Sequence, residues 1–355
     1  MSGKLLEEKA SPVKPEEAFF MEYIAAGNSD IHLSRVIFGS WAIGGWYWGG
    51  SDDRAAEKSI HAALDCGIQT FDTAPVYGMG KSEALLGSAL KGNSNAVILT
   101  KCGLRYDSSP PGSSHFFTME EFQPPVDVYK NLSCKSIVFE CTESLKRLQR
   151  DWIDIYQIHW PLRNSDREET AEALNLLYEQ GKIRSAGVCN YTVQEIIELK
   201  NLLKVPFVSD QEKLSLIHRK ALEGNIPYAK KNRLSFFSYG SLGQGLLTNT
   251  VSKDRRFPEN DYRQKSEIMT QEYRSAVSEA FQRAESIREK YGCSYANLSS
   301  AWALASAGEN SCVISGIRQA EQALENSRAC DVHLNGKEVD LLTETFSSIV
   351  YRGKW

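Results

Sequence analysis

Four residues of this chain have the types needed to move a proton to or from a carbonyl oxygen. Asp72 and Tyr77 lie in Phe71-Asp72-Thr73-Ala74-Pro75-Val76-Tyr77-Gly78, Lys101 in Thr100-Lys101-Cys102-Gly103, and His159 in Tyr156-Gln157-Ile158-His159-Trp160-Pro161. A phenol ionises near pH ~10, so a tyrosine that exchanges a proton near neutrality needs a cation that favours its phenolate. Lys101 can supply that charge, Asp72 can hold the lysine, and His159 can orient a carbonyl or relay a proton. Taken singly, each has a plainer reading: Asp72 capping a turn, Lys101 in solvent, His159 satisfied inside a core. Their joint placement favours the chemical one.

The elements that would position them follow from the pattern of the chain. Short β-rich runs alternate with longer amphipathic stretches, as in βα units around a parallel sheet. Strands are expected at 35–38, 69–72, 96–101, 153–159, 185–189, 206–209, 234–239 and 312–316. Helices are expected at 55–66, 82–91, 136–148, 168–180, 193–203, 220–231, 270–291 and 319–329, and Ser294 should cap one more through Ala305. Eight such units predict an α/β fold, a (β/α)8 TIM barrel, over an open doubly wound sheet. The carboxyl ends of barrel strands share one mouth. Asp72, Lys101 and His159 each close an expected strand and Tyr77 lies in the loop after one, so all four would meet there.

The chain has 355 residues, 42% of them hydrophobic, enough for one large core. No repeat or low-complexity linker divides it, which predicts a polar, flexible N-terminal extension over 1–20 and a single barrel domain over 21–355. A net charge of −4 offers no general attraction for nucleic acid or an anionic membrane. The eight cysteines show no C-x-x-C pairs and no metal spacing, so they read as reduced thiols in a cytoplasmic protein, with no metal site expected. The start of the chain lacks an apolar signal core, and no run is long enough to span a membrane. Gly80-Lys81-Ser82 ends like a phosphate-binding loop, but Pro75 stands where its first glycine is required. Ser82 reads as a helix cap instead.

These motifs resemble the aldo-keto reductase family, from about Met21 to Val332. Also similar to the family are Phe38-Gly39-Ser40-Trp41-Ala42-Ile43-Gly44-Gly45, Lys182-Ile183-Arg184-Ser185-Ala186-Gly187-Val188 and Leu242-Gly243-Gln244-Gly245-Leu246-Leu247. The subgroup most resembled holds bacterial general stress reductases and potassium channel β-subunits. The resemblance implies a nicotinamide dinucleotide bound without a Rossmann fold, and hydride transfer to a carbonyl carbon while Tyr77 donates a proton to the oxygen. Lys101 would lower the phenol pKa, Asp72 would fix Lys101, and His159 would bind the carbonyl oxygen. A slowly turning-over redox sensor or regulatory subunit is the alternative that the same resemblance offers.

For the cofactor, the resemblance implies Ser40, Trp41 and Asp72 among the binding residues, with Asn190 and Gln211 on the nicotinamide carboxamide. Cys189 stands where the family has serine, and Leu214 where many relatives have an aromatic ring. Tyr239, Gly240, Ser241, Leu242, Gly243 and Gln244 would carry the pyrophosphate, and Gly316, Ile317, Arg318, Gln322, Glu325 and Asn326 the adenosine half. The residues themselves support an anion site there, since the chain leaves a strand through Gly316 and enters a helix whose free amides and dipole attract phosphate. Arg318 adds a forked cation, which predicts NADPH (NADP+) over NADH. Trp46, Tyr47 and Trp48, set between paired glycines, are expected to wall a substrate pocket with Trp160, and the segment 104–127 should close the other side. That wall favours aromatic aldehydes, quinone-like carbonyls or sugar-derived ketones as the small-molecule substrate or its alcohol.

Overall fold

A computed structural model describes residues 21–120, 122–162, 167–251 and 255–351. The expected N-terminal extension, 1–20, lies outside the described residues. In chain order the strands are β1 (Tyr23–Ala25), β2 (His32–Ser34), β3 (Val36–Gly39), β4 (Thr70–Asp72), β5 (Val97–Cys102), β6 (Leu104–Arg105), β7 (Ser114–Met119), β8 (Val126–Lys130), β9 (Ile153–Ile158), β10 (Ile183–Cys189), β11 (Phe207–Lys213), β12 (Ser235–Tyr239) and β13 (Ser311–Gly316). The helices are α1 (Asp53–Asp65), α2 (Lys81–Ala89), α3 (Cys134–Leu148), α4 (Arg167–Glu179), α5 (Val193–Lys200), α6 (Asn225–Asn232), α7 (Gln271–Arg283), α8 (Glu285–Tyr291), α9 (Tyr295–Ala307), α10 (Ala320–Ser327) and α11 (Gly336–Thr345). Strands β3, β4, β5, β9, β10, β11, β12 and β13 close a parallel barrel in that order, with β13 returning to β3. This is the (β/α)8 architecture expected from the alternating pattern.

Period-2 side-chain alternation divides the barrel strands between two cores. Val36, Phe38, Phe71, Ile98 and Tyr156 point outward and pack under the helices, whereas Ile37, Leu99, Ile155, Val208 and Phe237 fill the interior. The antiparallel pair β1–β2 adds Ala26, Ile31 and Leu33 to that interior cluster. Those apolar residues leave the polar side chains of the barrel for its other end, where the carboxyl termini of the strands gather.

The helices depart from the expected bounds at identifiable residues. The stretch 270–291 breaks at Ala284 into α7 and α8. The stretch 220–231 is a short 3-10 turn over Lys220–Leu222, then Gly224, then α6. Ser82 does not cap α2: the cap position is Gly80 at φ 90°, and the Ser82 hydroxyl donates to Ser40 O at 2.8 Å. Ser294 does cap α9, with Asn297 answering as the reciprocal partner. Three elements were not expected. They are the β1–β2 hairpin, the three-stranded sheet β6–β8–β7 after β5, and α11, whose Asn335 and Glu338 form a capping box.

Candidate active site

Asp72 ends β4, Lys101 is the fifth residue of β5, and His159 follows β9, so three neighbouring strands deliver three of the four side chains to one rim. Lys101 is fully buried, and its Nζ donates to Asp72 Oδ1 and Oδ2 at 2.8 and 2.7 Å and to Thr73 O at 2.9 Å. Tyr77 Oη is 3.5 Å from the same nitrogen. The His159 ring meets the Tyr77 ring edge-on, with centroids 5.9 Å apart and planes at 82°. The four residues singled out from the sequence therefore form one cluster.

The turn that carries Tyr77 is fixed by contacts only glycine permits. Gly78 sits at φ 62°, and a methyl group on it would lie 2.4 Å from Gly44 O. A methyl group on Gly44 would in turn meet Ser82 Oγ at 2.8 Å. The loop after β3 and the turn after β4 are thus pressed together, backbone against backbone. Behind them, buried Glu83 on α2 accepts from Thr100 Oγ1 at 2.6 Å and from Arg147 Nε at 2.7 Å. That ties the Tyr77 turn to the strand residue next to Lys101.

A hydrogen-bonded belt continues around the rim. Gln211 Nε2 donates to Asp72 Oδ1 at 2.9 Å, and Gln211 Oε1 accepts from the Cys189 thiol at 3.4 Å. Asn190, in the left-handed region at φ 63°, donates to His159 O at 2.9 Å and to Cys189 Sγ at 3.1 Å. The Tyr239 hydroxyl completes the belt by donating to Asn190 Oδ1 at 2.6 Å. Cys189 therefore occupies the serine position as a working, if weaker, hydrogen-bonding group. Leu214 is fully buried in the core under α7–α9, so its side chain does not face the rim, and Tyr239 is the ring presented there.

Electrostatics follow from burial. Desolvation pushes the Tyr77 phenol above its ordinary value, and the Lys101 charge opposes this without overcoming it. Lys101 thus lowers the phenol as expected, but by less than the loss of water raises it. Burial alone would lower Lys101, but Asp72 and Tyr77 more than compensate and hold it above the usual lysine range. Burial, then Lys101 and Lys130, drive His159 well below the usual histidine range, so its imidazole is neutral at pH 7.

Around this cluster runs an aromatic wall. Trp46 is buried between Tyr47 (centroids 4.1 Å apart) and Phe117 (5.7 Å), and Phe117 leads through Phe116 (5.2 Å) to Trp160 (5.4 Å). Trp41 lies 6.2 Å from Tyr77 and meets Trp48 edge-on at 5.4 Å. Phe116 and Phe117 come from β7. The Ser- and Pro-rich segment after β5, expected to close the other side, is a folded sheet whose Phe116 and Phe117 instead join the wall of Trp46 and Trp160.

Three comparisons place this geometry. The model of the Aldo/keto reductase family matches residues 35–346. The chain is 36% identical over 291 residues to aldo-keto reductase YhdN of Bacillus subtilis, covering 80% of this chain and 81% of that one. It is 34% identical over 331 residues to an Escherichia coli protein named NADH-specific methylglyoxal reductase, covering 91% and 98%. Among solved structures, glycerol dehydrogenase from Gluconobacter oxydans superposes with a TM-score of 0.79 at 31% identity, covering 93% of this chain and 96% of that one. The chain belongs to the aldo/keto reductase family. It is an NAD(P)H-dependent oxidoreductase acting on carbonyl groups and their alcohols, and its cofactor is a nicotinamide nucleotide. Among the described residues no helix is long and apolar enough to cross a membrane.

The residues fit such a cofactor. Ser40 Oγ, Trp41 Nε1 and Gln244 Oε1 are buried polar atoms with no partner among the described residues. Gly240 and Gly243 lie at φ 69° and 53° in the loop 240–244, where bare backbone allows close approach of a phosphate. At the end of β13, a methyl group on Gly316 would meet nothing within 4 Å. The adenosine-side expectation needs one correction. Gln322 is engaged in capping α10, its Oε1 accepting from Arg318 N at 2.8 Å and Gln319 N at 3.2 Å, so those amides are not free. Glu325 is exposed and Asn326 is buried. Arg318 turns its fork to the loop after β3, donating to Trp48 O at 2.8 Å and Gly50 O at 2.7 Å. Asp261 and Arg263 were missed by the sequence reading. They form an ion pair at 2.7 Å, with the guanidinium 4.9 Å from the Trp48 ring centre, and brace that same loop.

Proposed function

We propose that this chain reduces aldehydes or ketones to alcohols, reversibly and with NADPH, using Tyr77 as the proton donor to the carbonyl oxygen. The observation that carries this reading is the buried Lys101 ammonium held between the Asp72 carboxylate and the Tyr77 hydroxyl. When bound, the coenzyme supplies a hydride to the carbonyl carbon or accepts one from the alcohol carbon. As negative charge develops on the oxygen, the Tyr77 proton moves to it and Lys101 stabilises the phenolate left behind. Asp72 and Thr73 O keep the ammonium aimed at the phenol. His159, neutral through burial, donates one N–H to the substrate oxygen and leaves the proton transfer to Tyr77. Asn190 and Gln211, locked in the rim belt, form the face against which the nicotinamide carboxamide would rest.

For the coenzyme, Arg318 supports NADPH. Its two carbonyl bonds use one N–H from each terminal nitrogen and hold the guanidinium in place, so the remaining N–H groups are left to serve a 2′-phosphate. NADH is the second reading, favoured by the use of the same guanidinium as a loop tie and by the name of the Escherichia coli relative. For the substrate, the wall of Trp46, Tyr47, Trp48 and Trp160 favours flat or sugar-derived carbonyl compounds over long charged ones. Seven of the eight free thiols are buried and the eighth is half-buried, which suits a cytoplasmic enzyme; fractionation of source cells with antibody detection would test that placement.

Tyr77→Phe keeps the ring and removes the proton, so carbonyl reduction should fall by at least ~100-fold while NADPH binding persists. Undiminished turnover would refute the role of Tyr77. In the unsubstituted enzyme the rate of reduction should stay level through pH ~6–8, where an ordinary histidine titrates, because His159 is displaced downward and Tyr77 upward. Arg318→Ala should weaken NADPH by about 1.5–3 kcal/mol and leave NADH nearly unaffected, read by fluorescence titration. Equal losses would make Arg318 a loop tie alone. Trp48→Ala should raise KM for an aromatic aldehyde more than for a small aliphatic one, and an equal response would remove that loop from the substrate wall.

A further inference from the structure

Lys213 ends β11 on the same face as Gln211, since residues two apart on a strand point the same way. Gln211 reaches Asp72 from that face, so Lys213 stands one rung, about 6.6 Å, nearer the open mouth. Its register partner is Tyr239, the residue that opens the loop 240–244, and a methyl group on Gly240 would lie 3.5 Å from Lys213 Cγ. The half-buried ammonium lies 4.2 Å from the ring centre of Tyr351 and 5.9 Å from that of Tyr239. Among the described residues it has no hydrogen-bond acceptor and no carboxylate within ion-pair reach.

Tyr351 is a fixed wall for this cation. Its N–H donates to Ile217 O at 2.9 Å, Tyr273 Oη donates to Val350 O at 2.6 Å, and Arg219 donates to Phe346 O and Ser347 O at 3.2 and 3.3 Å. The last residues described therefore press a ring against a lysine that lacks a counter-ion, beside a glycine loop at the rim.

We infer that Lys213 is a binding cation for the coenzyme, pairing with the diphosphate of the dinucleotide where it passes from Tyr239 into the loop 240–244. This rests on the reading of that loop as the diphosphate loop. Ring faces compensate only part of the lost hydration of an ammonium, so a dianion docking on it recovers the remainder. Burial pulls the Lys213 amine down to about 8, with Glu212 opposing. The groups that face it are Glu212 on its own strand, His218 from the following turn, Tyr239 on β12 and Tyr351, which itself faces Tyr262 and Glu267. Glu212, raised by its own burial to about 8, is a weak counter-ion. A cation is required for binding, so coenzyme affinity should hold below pH ~8 and decline above it.

The test is coenzyme binding to the full chain, followed by quenching of tryptophan fluorescence between pH ~6.5 and ~11, the range that brackets an ordinary lysine and the lowered one. Lys213→Met should raise Kd about 10- to 100-fold for NADPH and NADH alike, since both carry the diphosphate. Lys213→Arg should restore most of the affinity and abolish the decline above pH ~8, because a guanidinium stays charged there while Glu212 is untouched. An unchanged Kd in Lys213→Met, a loss that Lys213→Arg does not rescue, or a loss confined to NADPH would overturn the inference. So would a raised KM for an anionic carbonyl substrate at unchanged coenzyme Kd, which would assign the cation to the substrate. A wild-type chain that bound neither coenzyme would instead remove the functional reading itself.

Discussion

A fully buried ammonium is the constraint around which this barrel mouth is built. Removing a lysine cation from water costs several kcal/mol even after relaxation, and the cost is offset only where a carboxylate and further acceptors surround it. Asp72 supplies both oxygens and Thr73 a carbonyl, which uses the three hydrogens of Lys101 and leaves its charge beside the Tyr77 oxygen. Because β4 and β5 are register neighbours, the pair is set by strand alignment and not by loop conformation. The same placement makes Asp72 the acceptor for Gln211, so the catalytic cluster and the rim belt share one carboxylate.

The mobile-looking parts of such a fold are its loops, yet here they are cross-braced. The loop after β3 is held from three directions: by Gly44 against the Tyr77 turn, by Arg318 on the carbonyls of Trp48 and Gly50, and by a backbone bond from Tyr262 N to Tyr47 O at 2.9 Å. The rings on that loop are therefore pre-positioned. Pre-organisation of this kind favours discrimination by pocket shape, because little ordering cost remains to be met when a substrate docks.

Much of this was legible in the residues. Seven of the eight barrel strands read as short β-rich runs within two residues of their ends, and Asp72, Tyr77, Lys101 and His159 each stood out by closing or following one. The sixth strand was read too short, at 206–209, because its continuation Asp210-Gln211-Glu212-Lys213 is polar on both faces. Gln211 meets Asp72 inside the barrel and Asp210 meets Asn225 of α6 at 2.9 Å outside it, so hydrophobic alternation vanishes where polar work begins. Arg318 illustrates a second limit. Its cation was visible, but its partners are backbone carbonyls, which carry no residue-type signal. The β1–β2 strands are three residues each, too short for a periodic pattern, whereas the Asn335-x-x-Glu338 box before α11 was a readable start signal.

The central claim is that Asp72 acts on the reaction through Lys101, as one unit with it. A double-substitution cycle measures this directly: carbonyl reduction by Asp72→Asn, Lys101→Met and the combined protein, with kcat/KM converted to a barrier change for each. If the account is right, the combined protein is no slower than the worse single variant, since asparagine at 72 still offers Oδ1 to Gln211 and the charge of the carboxylate acts only through the ammonium. Losses that add would contradict it, because Asp72 and Lys101 would then contribute independently.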